Sequence, residues 1–501
     1  MLVVISDLHF VDGTSGNHNL PAKAFEHVFL SSIVGLAQKN KATELKLLLL
    51  GDIPDLIRSA QWFEEDIEDR LWGKYGLADI PRPRPHSRTE RRCLDIMGRF
   101  PDSGNRADVP EHTILYQNWH TFHFFRNFHQ HLKHTARKEY DIVDYDIPVE
   151  IIYVVGNHDR PVNLYPSLRD ELQKQLGLTI TPENVDGDVD GEWWYKYAFE
   201  DEAYGVFARH GHQFDVYNYN GTDAFTREDH LQVPIGDVIA TEIAVKLAVI
   251  LASLQPWYPE VSDELVKAMQ DADNVRPVGR LMEWFYAKIE EHDNQRVREA
   301  LNETIDKVAR EFFDIEFVQE WDNPNTNVDE LIRAAANTPF RQIINFIVDR
   351  TDASDLIELL LPAAERALHG GGLDDLMVGA YEEEIWREAD SQIRYVLYGH
   401  THEPLLQPLD SIDGRDVIYI NTGTWRERLR RTISLDKTAN FIGLKQLTYV
   451  VFYNEDEDKK NKELGTIGFD SWTGNQQKQY AKATDKSGGG LAVKGAVDGK
   501  R

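Results

Sequence analysis

The sequence predicts an α/β fold, on two observations. Short apolar runs typical of buried strands recur along the chain, and a predicted amphipathic helix at 22–38 separates the first two. The runs lie at residues 2–5, 45–50, 151–155, 206–208 and 395–398. Each run ends abruptly in polar residues. Because α/β folds bind ligands at the carboxyl ends of their strands, these polar residues are the first place to look for a site.

The later strands predict mixed sheets. Residues 193–199 and 203–209 flank a short acidic turn and are predicted to pair antiparallel, and a strand at 447–453 closes the regular part. Two long inserts at about 60–140 and 217–388 interrupt a domain predicted to span 1–454. The second insert is predicted to be a helical cap or dimerisation element, and 455–501 a mobile tail. The helix-period apolar positions of the second insert include Leu281, Trp284, Phe285, Ile289, Leu356, Leu359 and Leu360.

Composition narrows the function classes. The 501 residues include 84 acidic and 55 basic side chains, a net charge of −29 that disfavours a general nucleic-acid or membrane coat. A single cysteine, Cys93, excludes an internal disulfide framework, and strand-like residues begin at Met1, so a soluble, cytoplasmic protein is expected. The apolar segment 238–254 contains Glu242 and Lys246. We therefore expect a buried or interface helix, a dimer seam, rather than a membrane span.

Five clusters of Asp, Asn and His follow the predicted strands. They are Asp7 and His9 in "SDLH", Asp52 and Asp55 in "GDIPD", Asn157, His158 and Asp159 in "GNHD", His210 and His212 in "RHGHQFD", and His400 and His402 in "GHTH". Any one cluster has a plain structural explanation as a cap or a turn. Five such clusters in succession have no such explanation, because burying carboxylates and imidazoles side by side is costly unless a cation compensates their charge and polarity. The clusters therefore predict a metal site.

In this order the clusters resemble the pattern DxH, GDxxD, GNH[DE], H and GHxH of the calcineurin-like metallophosphoesterase superfamily, over about residues 1–58, 147–215 and 393–453. The resemblance implies a four-layer α-β-β-α sandwich of two mixed sheets flanked by helices, with a binuclear centre at one end. Asp7, His9 and His402 would hold one divalent ion. Asn157, His210 and His400 would hold the other, with His212 as the competitor of His210, and Asp52 would bridge both. Manganese is favoured, with iron, zinc or nickel as alternatives.

The same resemblance implies hydrolysis of a phosphoester. A metal-bridging hydroxide would attack phosphorus, and His158 would act as acid or charge stabiliser. Asp159 would orient the His158 imidazole. Asp55 would support the site from behind the ligands or act structurally, with a helix-entry cap as the alternative. The form "GDIPDLIR" with "GNHDR" disfavours the protein serine/threonine phosphatases, which carry GDxxDRG and GNHE. A phosphodiesterase or phosphatase is expected, and a nuclease or a non-catalytic binding module on the same fold are the alternatives.

Two basic stretches and one histidine run bear on the substrate. "RPRPHSRTERR" at 82–92 and "WRERLRR" at 425–431 are arginine-rich, and Arg426 and Arg428 are predicted to contact substrate phosphate. The alternative is that these arginines pair with the many carboxylates of the chain. Six histidines interleaved with aromatic residues predict a packed helix with outward-facing imidazoles rather than a further metal site. These histidines are His112, His120, His123, His129, His131 and His134.

Overall fold

The computed structural model describes residues 1–16, 19–73, 84–189, 191–215, 217–276, 280–321, 373–412, 414–432, 440–457 and 468–476. The strands in chain order are β1 (Leu2–Ile5), β2 (Leu45–Leu50), β3 (Val149–Val154), β4 (Val185–Gly187), β5 (Trp193–Tyr195), β6 (Ala198–Asp201), β7 (Val206–Arg209), β8 (Tyr395–Tyr398), β9 (Leu405–Ile412), β10 (Arg415–Asn421), β11 (Glu427–Arg431), β12 (Phe441–Phe452) and β13 (Phe469–Gln476).

Two mixed sheets carry most of these strands. The first has the order β11-β12-β1-β2-β3, with β13 also paired to β12, and the second has the order β6-β7-β8-β10-β9. The pairs β1–β2, β2–β3, β7–β8 and β8–β10 are parallel, and the remaining pairs of both sheets are antiparallel. A short separate hairpin joins β4 and β5. The predicted α/β class with mixed sheets is confirmed.

Helices fill the segments between the strands. The α-helices are α1 (Ala22–Ala24), α2 (Leu30–Asn40), α3 (Arg88–Met97), α4 (Ile114–Gln117), α5 (Trp119–Arg126), α6 (Phe128–Tyr140), α7 (Pro166–Leu176), α8 (Arg227–Leu231), α9 (Ile235–Ile239), α10 (Lys246–Leu254), α11 (Asp263–Met269), α12 (Leu281–Glu290), α13 (Gln295–Phe313), α14 (Glu316–Trp321) and α15 (Leu373–Glu382). Segments of π-helix at Phe25–Phe29 and Ala240–Val245 join α1 to α2 and α9 to α10.

The pleat of the central strands divides the core. Alternate residues of β1 and β2 point to opposite faces, so Leu2 and Leu48 pack against the second sheet whereas Val3 and Leu47 pack against helices. The cluster between the sheets also contains Val206 and Leu397 from the second sheet. Burial on both faces explains why these strands are continuous apolar runs in the sequence.

The first insert confirms the outward-facing histidines in part, because His112, His120, His123 and His134 are exposed whereas His129 and His131 are half-buried. On α5, Phe122 and Phe125 are buried whereas His120 and His123 are exposed.

The described part of the second insert is helical, from α8 to α15, and the predicted positions at 356–360 lie outside the described residues. The apolar segment 238–254 forms α9, a π-helical segment and α10, and it packs on α13 within the chain. No helix in the part of the chain that the structure describes is both long and apolar enough to cross a membrane.

Two features differ from the expected tail after residue 455. Glu457 is buried and accepts a 2.7 Å hydrogen bond from the amino group of Met1. The strand β13 then pairs with β12 over eight positions, where Trp472 stacks on Tyr449. Sequence inspection missed this strand because its polar and glycine residues, in "FDSWTGNQ", give little apolar alternation.

Candidate metal centre

The five clusters converge at one end of the two sheets. Asp7 and His9 follow β1, Asp52 follows β2, Asn157 follows β3, His210 follows β7, and His400 and His402 follow β8. The backbone NH of His9 donates to the carbonyl of Asp52 at 2.9 Å, which joins the loops after β1 and β2. The backbone NH of His400 donates to the carboxylate of Asp7 at 3.2 Å, which joins the two sheets.

The backbone at this end is held in an unfavourable conformation. Nine described residues other than glycine have positive φ, and five of them belong to the predicted ligands. These are Asp7 (52°), His9 (45°), Asp52 (53°), His400 (66°) and His402 (63°). Left-handed backbone at a residue with a side chain costs on the order of 1–3 kcal/mol and persists where the surroundings enforce it, commonly at functional sites. The strain thus coincides with the predicted ligands.

Three motif glycines leave room for the ligands. A Cβ atom on Gly156 would collide with the carboxylate of Asp52, and a Cβ on Gly399 would collide with that of Asp7. A Cβ on Gly51 would meet the imidazole of His210, and the φ of Gly51 is +80°. The glycines of "GD", "GNH" and "GHTH" are therefore required by the close approach of the neighbouring loop.

Asp7, His9 and His402 form the first group. The Nε2 atoms of His9 and His402 lie 2.9 Å apart, and Asp7 Oδ1 lies 3.3 Å from His402 Nε2 and 3.8 Å from His9 Nε2. His9 Nδ1 lies 2.9 Å from Asp55 Oδ2, which directs the His9 Nε2 lone pair at the group. Atoms that share an ion at about 2.0–2.2 Å lie roughly 3–4 Å apart, so this spacing suits one cation.

His210 belongs to a second group. Its Nδ1 donates to the Leu50 carbonyl at 2.9 Å, so its Nε2 lone pair faces Asp52 Oδ2 at 3.1 Å. Two acceptors that face each other in a buried place require a positive charge between them or a proton on the imidazole.

His400 and Asn157 complete the second group in the same way. His400 Nε2 donates to Asp215 Oδ2 at 2.9 Å, so its Nδ1 faces Asn157 Oδ1 at 3.2 Å as a second acceptor. The Asn157 amide is oriented by its Nδ2, which donates to Asn218 Oδ1 at 3.2 Å. The oxygen of Asn157 is thereby directed at the imidazole, as the prediction of an amide-oxygen ligand requires.

Asp52 lies between the two groups. Its Oδ2 is 3.6 Å from His9 Nε2 in the first group and 3.1 Å from His210 Nε2 in the second. Its Oδ1 accepts the backbone NH of His158 at 2.9 Å, which fixes the carboxylate. One oxygen therefore faces both groups, as expected for a bridging ligand.

The electrostatics of the buried groups favour a cation. Burial alone would raise the pKa of Asp52, but the nearby His210 and His158 imidazoles hold it below its ordinary value. Burial would lower the pKa of His210, but the carboxylates of Asp52 and Asp7 raise it to about 10. The two carboxylates therefore draw positive charge into the pocket, and a divalent ion supplies more of it than a proton does. The buried groups of His and Asp could hold metal ions.

The contacts of His158 differ from the expectation. Asp159 directs its two oxygens at the backbone amides of Ile53, at 2.9 Å, and Gly156, at 2.6 Å. The imidazole is instead held by Asp55, whose Oδ1 lies 2.9 Å from His158 Nδ1. Burial and the charge of Asp52 raise the pKa of Asp159 to about 7. Asp55 is fully buried and contacts both His158 and His9, so it is more than a cap.

The choice between His210 and His212 agrees with the geometry. Among the described residues, three groups of His and Asp could hold an ion; one contains Asp52, His210 and His400, and none contains His212. His212 lies beside the buried His230 ring, 5.6 Å between centroids. It is buried, and its ring also lies 5.5 Å from that of His210 and 6.4 Å from that of His400, between centroids.

The arginine contacts also differ from the expectation. Arg428 is 2 % exposed, and it donates to the His402 carbonyl at 2.8 Å and pairs with Glu403 at 2.6 Å. Arg426 is equally buried and donates to Asn274. The Arg428 guanidinium therefore holds the structure around His402 and pairs with a carboxylate, as the alternative expectation required. In the first basic stretch, Arg92 pairs with Glu64 at 3.0 Å and with a second nearby glutamate, as the alternative held.

The position of Arg428 gives a test of its role. We expect Arg428→Ala to lower the free energy of unfolding by about 1.5–3 kcal/mol, because charged hydrogen bonds to His402 and Glu403 are lost. The affinity for divalent ions should fall with it, whereas the KM for a phosphoester should stay unchanged. Chemical denaturation, metal titration and steady-state kinetics measure these quantities. Arg430→Ala is the control, since Arg430 contacts the same glutamate but is 42 % exposed. A raised KM with unchanged stability would restore the phosphate-contact role.

Models of known protein families give no match to this chain, and a search of curated proteins finds no relative. The resemblance to the calcineurin-like metallophosphoesterases therefore stays a prediction from the motifs.

Proposed function

We propose that this protein is a binuclear metal-dependent hydrolase of phosphoester bonds, a phosphodiesterase or phosphatase of the calcineurin-like type. The observation that carries the proposal is the position of Asp52 Oδ2, which faces a group of ligand atoms on each side. A carboxylate oxygen shared in this way is what a pair of neighbouring ions needs. The four-layer sandwich belongs to the same proposal, supported by the apolar cluster that the two sheets share and by the helices on their outer faces.

The donor set indicates which ions would bind. The first group offers Asp7 Oδ1 with two imidazole nitrogens, and the second offers the Asn157 amide oxygen with two more. Mixed oxygen and nitrogen ligands suit manganese(II), iron or zinc better than magnesium, and manganese is the ion we favour. Bound there, two divalent ions would supply Lewis-acid activation of water and of a phosphoryl oxygen.

The protein groups would do the remaining chemistry. The side chain of His158 is 16 % exposed, whereas those of Asp7, His9, Asp52 and His210 are at most 1 % exposed, so His158 lies at the accessible side of the centre. Asp55 holds its Nδ1, and Nε2 would be the nitrogen that donates to the departing alkoxide. Asp55 would thus act as a positioning residue for His158.

A reconstitution experiment tests the proposal. The protein is stripped of metal, supplied with manganese, and assayed on a nitrophenyl monoester, its bis-ester, a cyclic nucleotide, a nucleotide diphosphate sugar and short nucleic acids. We expect two ions per chain and manganese-dependent hydrolysis of at least one ester. Cleavage of nucleic acid alone would identify a nuclease. Two bound ions with no hydrolysis of any substrate would contradict the proposal and favour a binding module.

A further inference from the structure

We propose that Asp215 and Asn218 are positioning residues for the second ion, and that the first helices of the second insert hold them in place. The inference rests on the proposed function. It assigns to the insert a part in the metal centre, in addition to the access or dimerisation role predicted from the sequence.

One short segment orients both ligands that complete the second group. Asp215 Oδ2 accepts from His400 Nε2 at 2.9 Å, and Asn218 Oδ1 accepts from Asn157 Nδ2 at 3.2 Å. The pair is also joined internally, because Asn218 Nδ2 donates to Asp215 Oδ2 at 2.8 Å. The carboxylate side chain is 11 % exposed, so water competes little for these bonds. Partners of this kind fix the tautomer and direction of a metal-binding imidazole.

The insert packs tightly against this segment. The backbone NH of Gly236, in α9, donates to the Tyr217 carbonyl at 2.6 Å. A Cβ at Gly236 would collide with Asn218 Oδ1 and would lie 2.7 Å from the Tyr217 carbonyl oxygen. The glycine therefore allows α9 to approach the two residues that orient the ligands.

The same helices contact the other loops of the centre. Asp237, next to Gly236, pairs with Arg160 at 2.6 Å in the loop that carries His158. Thr241, in the π-helical segment, donates to the Ile57 carbonyl at 2.8 Å in the loop after Asp52. Both partners of the ion pair are almost fully buried. The start of the insert thus contacts three loops of the predicted centre. Of these contacts, the one with Asn218 is next to the proposed ligands of the second ion.

The test compares three variants with two matched controls. Asp215→Asn weakens the bond to His400, Asn218→Ala removes the support of Asn157, and Gly236→Ala disturbs Asn218 from the helix side. Asp223→Asn changes an exposed acid of the same insert, and Asn220→Ala changes an amide that donates to the Val233 carbonyl rather than to a ligand. Manganese is titrated into metal-free proteins. Bound ions are counted by elemental analysis, and electron paramagnetic resonance separates coupled ion pairs from single ions.

We expect wild type and both controls to bind two ions with a coupled signal. The three variants should keep one tightly bound ion, lose the coupled signal, and bind the second ion about 10–100-fold more weakly. Two ions with wild-type affinity in the variants, or equal loss of both ions, would overturn the inference. A wild-type protein that binds no ion would overturn the proposed function itself. Circular dichroism identifies a variant that fails to fold, in which case the other two variants decide.

Discussion

Asp52→Asn is expected to abolish the binuclear centre. The amide keeps the shape and the acceptor for the His158 backbone NH, but it brings no negative charge to the position that faces both ligand groups. Manganese content should fall from two ions to one or fewer per chain. Because a bound ion stabilises a phosphoryl transition state by several kcal/mol, turnover should fall by about 10³-fold or more. Elemental analysis and steady-state kinetics on the best substrate of the panel measure both effects.

A surface acid provides the control for this variant. Asp410 is exposed on β9, so Asp410→Asn makes the same chemical change outside the centre and should keep both ions and full activity. If Asp52→Asn retained two ions and wild-type turnover, Asp52 would not be the shared ligand.

His158→Asn is expected to separate metal binding from turnover. The ring of His158 contacts Asp55 and lies 4.8 Å, between centroids, from the ring of His9. It completes neither of the two proposed ligand sets. Two ions should therefore still bind, while loss of an acid at the leaving group should lower kcat by about 10²–10⁴-fold. The loss should shrink for a substrate whose leaving group is a good one, such as a nitrophenolate.

An exposed histidine of the first insert provides the comparison for that variant. His134 lies on the outer face of α6, and His134→Asn should change neither metal content nor kcat. An unchanged kcat in His158→Asn on poor and good leaving groups alike would remove this residue from the chemistry. Loss of an ion would instead make it a ligand, in line with its closeness to His9 and Asp52.

The core strands could be predicted because burial on both faces leaves continuous apolar runs. The run at 395–398 coincides with β8, and the runs at 2–5 and 45–50 coincide with β1 and β2. The strand β13 could not be predicted, since its partner β12 supplies the pairing while its own residues alternate weakly. The predicted strand at 193–199 is also divided, because Trp193–Tyr195 pairs with β4 whereas Ala198–Asp201 pairs with β7.

The convergence of the five motifs could be predicted because each motif ends a strand, and the carboxyl ends of parallel strands lie at one edge of a sheet. The hydrogen-bond partners of the predicted ligands could not be predicted, because residues that bond across separate loops have no characteristic spacing in the sequence. Asp159 adjoins His158 in the chain, but the turn directs it at backbone amides, and Asp55 reaches the imidazole from another loop. Asp215 had a weak signal in "RHGHQFD", where an acid follows the histidine pair. Asn218 had none.

Anomalous diffraction from crystals soaked in manganese tests the central claim most directly. The account predicts two peaks about 3.5–4 Å apart. One peak should be ligated by Asp7, His9 and His402, the other by Asn157, His210 and His400, and Asp52 Oδ2 should contact both. A single peak, or peaks that Asp52 does not share, would contradict the account.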